Sequence, residues 1–331
     1  IAFITDLLLG DPKGYPHPVK IIARLAYGTE KLSRKFLSNH KLAGVITTIT
    51  VVATSFLVVW MMIQGLAFIH PSLGWVASIF FIYTTLSVRS LFDESRPVFQ
   101  HLKKSNLSKA RESLSRIVGR DTTRLEEDQI VRATVETVAE STVDGIIAPL
   151  FFAVLGGAPF AVAYKAINTL DSLFGYKNET YRDFGWASAR LDDLANWLPA
   201  RLSLPIITLG AILCGLNGKK AWVIARRDGR KHPSPNSGIP EAAMAGALGV
   251  QLGGISHYSG VENRKPLLGD PVQKLQFPDI VQSQRLMFAS AFLALVVFLI
   301  YDTSLVFNPS ARFVLEGMFS SPRPHINIYI Y

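Results

Sequence analysis

LAGVITTITVVATSFLVVWMMIQGLAFI, residues Leu42 to Ile69, is followed by His70-Pro71-Ser72 and then by LGWVASIFFIYTTLSV, Leu73 to Val88. Neither run carries a charge, and a membrane span takes about 20 apolar residues. Two such runs joined by so short a turn predict a transmembrane hairpin over residues 42–91, the second helix ending near Arg89. Apolar residues make up 49% of the 331-residue chain and are clumped rather than spread with amphipathic periodicity. The expectation is an all-α, polytopic integral membrane protein, with residues 1–331 as a single membrane-embedded catalytic domain. Further apolar candidates are Gly145 to Tyr164, broken by Pro149, Gly156-Gly157 and Pro159, Leu202 to Gly218, which contains Pro205, and a C-terminal transmembrane helix over residues 286–301.

The formal net charge is +9, and Lys and Arg concentrate in two loops. Asp11 to Lys41 holds seven basic and two acidic residues and Lys219 to Arg285 ten against five, whereas the His70–Ser72 turn has none. The positive-inside rule places these loops in the cytoplasm. No zinc finger, recognition helix or aromatic-basic repeat accompanies the charge, so nucleic acid is excluded as a partner. The single cysteine, Cys214, excludes an intrachain disulfide and a cysteine metal cluster. Residues 92–142 are charge-balanced and read as cytoplasmic helices, one of them starting at Thr122 or Thr123 from the capping-box spacing Thr123-Arg-Leu-Glu126. Strand signals are scarce. If Gly145 to Tyr164 crossed the membrane fully, the polar residues after it would emerge away from the basic loops. Two half-helices broken at Gly156-Gly157 keep them on the same side, and that re-entrant arrangement is expected.

Residues 143–285, with the residues just before them, hold the chemistry. Ionisable groups beside hydrocarbon are costly and mark a cavity or a partner. Glu140 and Asp144 share a helical face and would chelate a divalent ion, the bland alternative being a solvated acid pair. Asp192-Asp193-x-x-Asn196 offers oxygen ligands suited to Mg²⁺. Lys165 precedes Asn168 and Asp171 at helical spacing, and Gly175-Tyr-Lys177-Asn178 supplies a further cation and an amide; Lys165 either contacts phosphate or merely reaches the interface. Arg226-Arg227-Asp-Gly-Arg230-Lys231-His232-Pro-Ser234-Pro-Asn236 reads as an anion cradle or as a site for anionic lipid. His17, in Pro16-His17-Pro18, is an acid, base or ligand candidate beside a structural reading. Walker, dinucleotide-binding, kinase, serine-hydrolase and zincin signatures are all missing.

These blocks resemble the adenosylcobinamide-phosphate synthase family of cobalamin biosynthesis, the CbiB/CobD proteins. The likeness runs from Asp6-Leu-Leu-Leu-Gly-Asp-Pro and Pro16-His-Pro-Val through Glu140-Ser-Thr-Val-Asp-Gly, Gly156-Gly-Ala-Pro and Tyr164-Lys-Ala-Ile-Asn-Thr-Leu-Asp-Ser. It continues through Gly175-Tyr-Lys-Asn, Ser188-Ala-Arg-Leu-Asp-Asp, Asn196-Trp-Leu-Pro-Ala-Arg, His232-Pro-Ser-Pro-Asn and Glu241-Ala-Ala-Met-Ala-Gly to Leu268-Gly. Ser141 stands where the family pattern leads us to expect Asn.

The resemblance implies a multi-pass ligase of the cell (inner) membrane, its catalytic face cytoplasmic. It would join adenosylcobyric acid to (R)-1-aminopropan-2-ol O-phosphate, or to aminopropanol, at the expense of ATP. Its membrane lipid setting is compatible with a homo-oligomer or with contact to later cobalamin-assembly enzymes. Under that reading Glu140, Asp144, Asp192, Asp193 and Asn196 hold Mg²⁺. Lys165, Lys177, Arg182 and Arg190, with Asn178, meet the transferring phosphoryl group; Arg226, Arg227, Lys231, Ser234 and Asn236 grip the other anion; and His17 or His232 serves as base. The rival readings are a Mg²⁺-dependent membrane transferase acting on prenyl or lipid diphosphates, for which a second Asp-rich motif is missing, and a transporter, for which repeated halves are missing.

Overall fold

The long uncharged runs become helices whose starts are set by side chains that accept a free backbone N–H. In the computed structural model the described residues are 1–11, 14, 17–176, 178–258 and 260–307. The helices are α1 Ala2–Leu9, α2 Pro18–Phe36, α3 His40–Ile69, α4 Pro71–Tyr83, α5 Val88–Lys103, α6 Leu107–Leu114 and α7 Glu127–Thr142, then α8 Ala148–Phe174, α9 Trp186–Ala195, α10 Trp197–Leu213, α11 Gly218–Asp228, α12 Gly238–Leu248 and α13 Pro278–Phe307. Asn39, Asn106 and Asn217 cap α3, α6 and α11 by accepting from Leu42, Lys109 and Lys220 N–H groups. Among the described residues four helical segments are long and apolar enough to cross a membrane, or five if the bent pair α9–α10 forms one span. The protein is thus an all-α polytopic membrane protein.

The α3–α4 hairpin forms where the sequence places it, turning at His70 with Pro71 opening α4. The second helix ends earlier than Arg89, at Tyr83. There Thr84 and Thr85 hydroxyls bond back to the Phe81 and Ile82 carbonyls at 2.9 and 2.7 Å, and α5 starts afresh at Val88. The buried Asp6 carboxylate caps that start, accepting from Val88 N at 2.9 Å and Arg89 N at 3.3 Å.

The Gly156-Gly157 break is a reversal of direction. Gly157 has φ 73° and ψ −162°, a conformation essentially restricted to glycine. The two arms then run back along each other: Phe152 stacks on Tyr164 at 5.0 Å, the Tyr164 hydroxyl lies 3.3 Å from the Asp144 carbonyl oxygen, and Asn168 donates to Asp144 Oδ2 at 3.4 Å. Residues 143–155 make an arm of only about 20 Å at 1.5 Å per residue, short of the ~30 Å hydrocarbon core. The segment is a helical hairpin whose open end is polar, the shape expected of a re-entrant element.

Two further features differ from the sequence reading. A two-stranded antiparallel sheet, β1 Leu252–Tyr258 with β2 Val261–Leu268, covers one side of the polar region. Its Gly253 (φ 84°) leaves no room for a side chain, since a Cβ would lie 2.1 Å from the Pro266 carbonyl oxygen. The helix after Thr123 starts at Glu127, and its cap is the pair Glu126 and Gln129, with Gln129 Oε1 accepting from Glu126 N at 2.9 Å. One core joins Val135 and Val138 of α7 to Met244 of α12 and Leu286 and Met287 of α13; a second joins α2, α3 and the outer arm of α8 around Phe174.

Candidate functional site

Between α5, the end of α7, α8 and the β-hairpin lies a cavity of about 470 Å³. Its residues come from segments far apart in sequence. Ser87, which precedes α5, and Ser90 and Glu94 on α5 fall on one helical face; the end of α7 and the turn after it give Glu140, Ser141 and Asp144; α8 gives Lys165, Asn168 and Asp171; and Arg120, Tyr258 and Lys265 close the far wall. The helical spacing of Lys165, Asn168 and Asp171 therefore does what its periodicity implies. Asp144 sits in a π-helical turn, Val143–Ile147, whose extra residue re-aims side chains relative to an α-helix. Gly145 allows the close approach of α5: its carbonyl accepts from Ser87 N at 2.9 Å.

Asp192, Asp193 and Asn196 do not line the cavity; Asp192 and Asn196 join it through a hydrogen-bonded chain that meets its lining at Asn168 and Asp144. The Tyr164 hydroxyl donates to Asn196 Oδ1 at 2.9 Å, Asn196 Nδ2 donates to Asp192 Oδ2 at 3.1 Å, and Asn168 reaches both Asp144 and Asp192. With its oxygen occupied by tyrosine, Asn196 has to present its NH₂ to Asp192. Asp192 Oδ1 remains buried without a partner. Lys165 is the cation facing this group, and it also faces Asp6 and Asp11 of the N-terminal segment. Burial pushes Asp6 up to about 6, against its bonds to the Arg89 and Val88 N–H groups. Burial also acts to raise Asp11, but the His17 hydrogen bond and charge, together with Ser90 and Lys165, hold it below its ordinary value.

The far wall consists of buried ion pairs. Arg120 donates to Glu136 Oε2 at 2.6 Å and to Ser256 Oγ at 3.2 Å, while Glu136 Oε1 accepts from Gly253 N at 2.8 Å. Burial opposes the Arg120 charge, yet Glu136 keeps the guanidinium above its ordinary value. Behind the wall Glu241 is fully buried, with Lys265 Nζ at 4.0 Å and His232 Nε2 at 3.6 Å. Burial drives Glu241 up and His232 down, Lys265 adding to the latter. Lys265 is raised despite burial because Glu241, Glu140 and Glu136 surround it.

Sequence reasoning missed Arg120, Tyr258 and Lys265. Lys265 lies in Val-Glu-Asn-Arg-Lys, which has the composition of an exposed strand, and nothing in Gly119-Arg120-Asp121 points inward.

The other predicted residues are dispersed. In the Arg226–Asn236 loop the cations are largely paired: Arg227 Nη2 contacts Asp228 Oδ2 at 2.7 Å and Asp270 Oδ1 at 2.8 Å, and Lys231 Nζ contacts Asp228 Oδ1 at 2.6 Å. Arg226 lies over the Trp222 ring. His232 Nδ1 accepts from Ser234 N at 3.0 Å and Ser234 Oγ from Asn236 N at 3.2 Å, so those groups build the loop. Asn236 bridges Arg201 Nη1 at 2.6 Å and the Asp193 carbonyl at 2.7 Å. Ser237 ties the loop to the cavity by donating to Glu140 Oε1 at 2.9 Å. Neither His17, which is 3.2 Å from Asp11, nor His232 lines the cavity. Arg182 and Arg190 are exposed, the latter 3.9 Å from Asp193, and Asn178 caps its own turn through Tyr181 N. Lys177 lies outside the described residues.

The five proposed metal ligands do not form one cluster. Among the described residues no three His, Cys, Asp or Glu side chains are placed to hold an ion. Asp193 turns toward Arg190 and Glu140 toward Ser237. Asp144 and Asp192, bridged by Asn168, with one carboxylate oxygen buried and unpaired, fit a hard cation that keeps waters and takes only one or two protein carboxylates.

Asp228 carries a separate prediction. Bonds from Arg227, then Lys231 and the Gly269 N–H, hold its carboxyl well below the usual range against burial. A depressed folded-state value stabilises the fold above the unfolded value of about 4, and the stabilisation is lost as pH falls through the folded value. Asp228→Asn is therefore expected to lower the melting temperature at pH 7. The gap to wild type should narrow on acidification below about pH 4. Thermal unfolding in detergent across pH 3–7 checks this, and a gap independent of pH would contradict it.

No solved structure matches the chain. The family model described as CobD/CbiB protein matches residues 1–287. The chain is 48% identical over 308 residues to the cobalamin biosynthesis protein CobD of Leptospira interrogans, covering 93% of this chain and 98% of that protein. It is 49% identical over 304 residues to CobD of Geobacter metallireducens, covering 92% and 96%. To CbiB of Salmonella typhi it is 46% identical over 302 residues, covering 90% and 95%. With matches of this extent spanning every block that lines the cavity, the chain belongs to the CobD/CbiB protein family.

Proposed function

We propose that this protein works in cobalamin biosynthesis as an ATP-dependent amide ligase of the inner membrane, its cavity open to the cytoplasm. It would join adenosylcobyric acid to (R)-1-aminopropan-2-ol O-phosphate or to aminopropanol. The relatives' names support the pathway. The observation that carries the chemistry is a cavity lined by both signs of charge, Lys165, Arg120 and Lys265 among Glu94, Glu140, Asp144 and Asp171. Such a lining suits a phosphate-bearing amine together with nucleotide phosphates, and is unlike an apolar lipid site.

A carboxylate at neutral pH is a poor electrophile. Its oxygen would attack the γ-phosphorus of ATP, releasing ADP and leaving an acyl phosphate; the amine nitrogen would then attack the acyl carbon, releasing phosphate and one proton. Lys165 would offset phosphoryl charge, and Arg120 and Lys265 would hold the second anion. Asp171, which lines the cavity on α8, would take the proton of the substrate ammonium. Mg²⁺ held by Asp144 and Asp192 would supply further charge neutralisation at the phosphates. At about 470 Å³ the cavity suits the reacting groups, leaving the corrin ring at its mouth.

The test is ATP hydrolysis by the purified protein. ADP should appear only when adenosylcobyric acid and the amine are both present, one per amide formed, with the amide product seen by mass spectrometry. Hydrolysis at the same rate without corrinoid, or turnover of a prenyl diphosphate instead, would sink the proposal.

A further inference from the structure

A second cavity, of about 400 Å³, shares no residue with the first. It lies where the end of α5, the end of α10 and the start of α13 meet. Its wall is largely apolar, built from Phe99, Leu216, Phe277 and Cys214, and two cations, Lys103 and Arg285, border it. No Asp or Glu lines it, and neither cation has a hydrogen-bond or ion-pair partner among the described residues. Both are exposed. An unpaired cation beside an apolar wall needs either water or an anion, and two around one opening favour an anion.

The location narrows the choice. The spanning part of α13 begins at Pro278, so Arg285 sits about 10 Å along it at 1.5 Å per residue, near the level where a span enters the bilayer. Beside the cavity the outer faces of α10 and α13 are apolar and exposed: Ile212 by 58%, Leu213 by 69% and Phe292 by 59%. The two helices pack closely at Gly210, against Ser290 and Leu286, so both offer apolar surface to an acyl chain beside the cavity. A soluble phosphate would fill little of the volume and lose hydration against the phenylalanines. A zwitterionic headgroup would find no carboxylate for its ammonium.

We propose that this cavity binds an anionic phospholipid, with the phosphate between Lys103 and Arg285 and an acyl chain against Phe99, Phe277 and Leu216. Basic pockets between membrane helices hold such headgroups on charge alone, while the apolar wall adds chain burial. The proposal does not depend on the ligase reading.

Cys214 gives a direct readout, since it lines the cavity and is the chain's only cysteine. The full chain would be reconstituted in vesicles of phosphatidylcholine alone or with phosphatidylglycerol, and thiol labelling by a polar maleimide followed. Phosphatidylglycerol should slow labelling several-fold, and native mass spectrometry should show a retained phosphatidylglycerol adduct. Lys103→Gln with Arg285→Gln should abolish the slowing and cut adduct retention about tenfold. Equal labelling rates in the two vesicle types, or protection by inorganic phosphate in phosphatidylcholine as strong as that by phosphatidylglycerol, would overturn the proposal. If the double variant does not fold, each single variant should lose part of the protection, and full protection in both would equally overturn it.

Discussion

Asp192→Ala should reduce amide formation at least ~10³-fold, while the purified protein still elutes as a folded species in detergent. The argument rests on the two oxygens of this carboxylate. Oδ2 accepts from Asn196, whose own oxygen is held by the Tyr164 hydroxyl, so the side chain is fixed in one orientation. Oδ1 is buried and has no partner. A buried carboxylate oxygen left without a donor is costly in a purely structural role, and fits the proposal that a cation or substrate reaches it during turnover. Asp192→Asn keeps the shape and removes the charge, so it should leave the melting temperature near that of wild type while losing activity alike. Turnover retained in either variant at high Mg²⁺ would remove Asp192 from the mechanism.

The parts of this fold that were legible in the sequence are those governed by local rules. Uncharged length gave the α3–α4 hairpin, and the pair Gly156-Gly157 marked the reversal because no other residue takes the Gly157 backbone conformation without strain. Helical spacing put Lys165, Asn168 and Asp171 on one face. What escaped was decided by partners far away in the chain. Arg227 and Lys231 read as ligand-binding cations, but Asp228 lies between them in space and Asp270, more than forty residues on, takes the rest of the arginine. The β-hairpin was hidden because its Leu252–Tyr258 strand contains two glycines and its partner is rich in charge, so period-two alternation is lost. It is held instead by tertiary bonds to Arg120, Arg132, Asp121 and Glu136.

Those bonds make the Arg120–Glu136 pair the second site of large effect. Their side chains are 7% and 3% exposed, and Glu136 also accepts the Gly253 N–H, so one carboxylate fixes both the guanidinium and the start of β1. Arg120→Met leaves that buried carboxylate facing apolar surface, a loss of about 3–5 kcal/mol for breaking one half of a buried pair. In a chain of this size that corresponds to a fall of very roughly 5–10 °C in melting temperature. Replacing both members removes the uncompensated charge, and such double replacements are often close to neutral. Arg120→Met with Glu136→Gln should therefore melt nearer to wild type than Arg120→Met alone, because glutamine still offers Gly253 an acceptor. It should nevertheless remain inactive, since Arg120 itself lines the cavity and the anion it would hold loses its partner. Thermal unfolding and product formation, measured on the same three preparations, separate the two contributions. If the double variant is no more stable than the single one, the hairpin is not held through this pair. If it regains activity along with stability, Arg120 acts only as a strut for β1, and the anion belongs to Lys165 and Lys265.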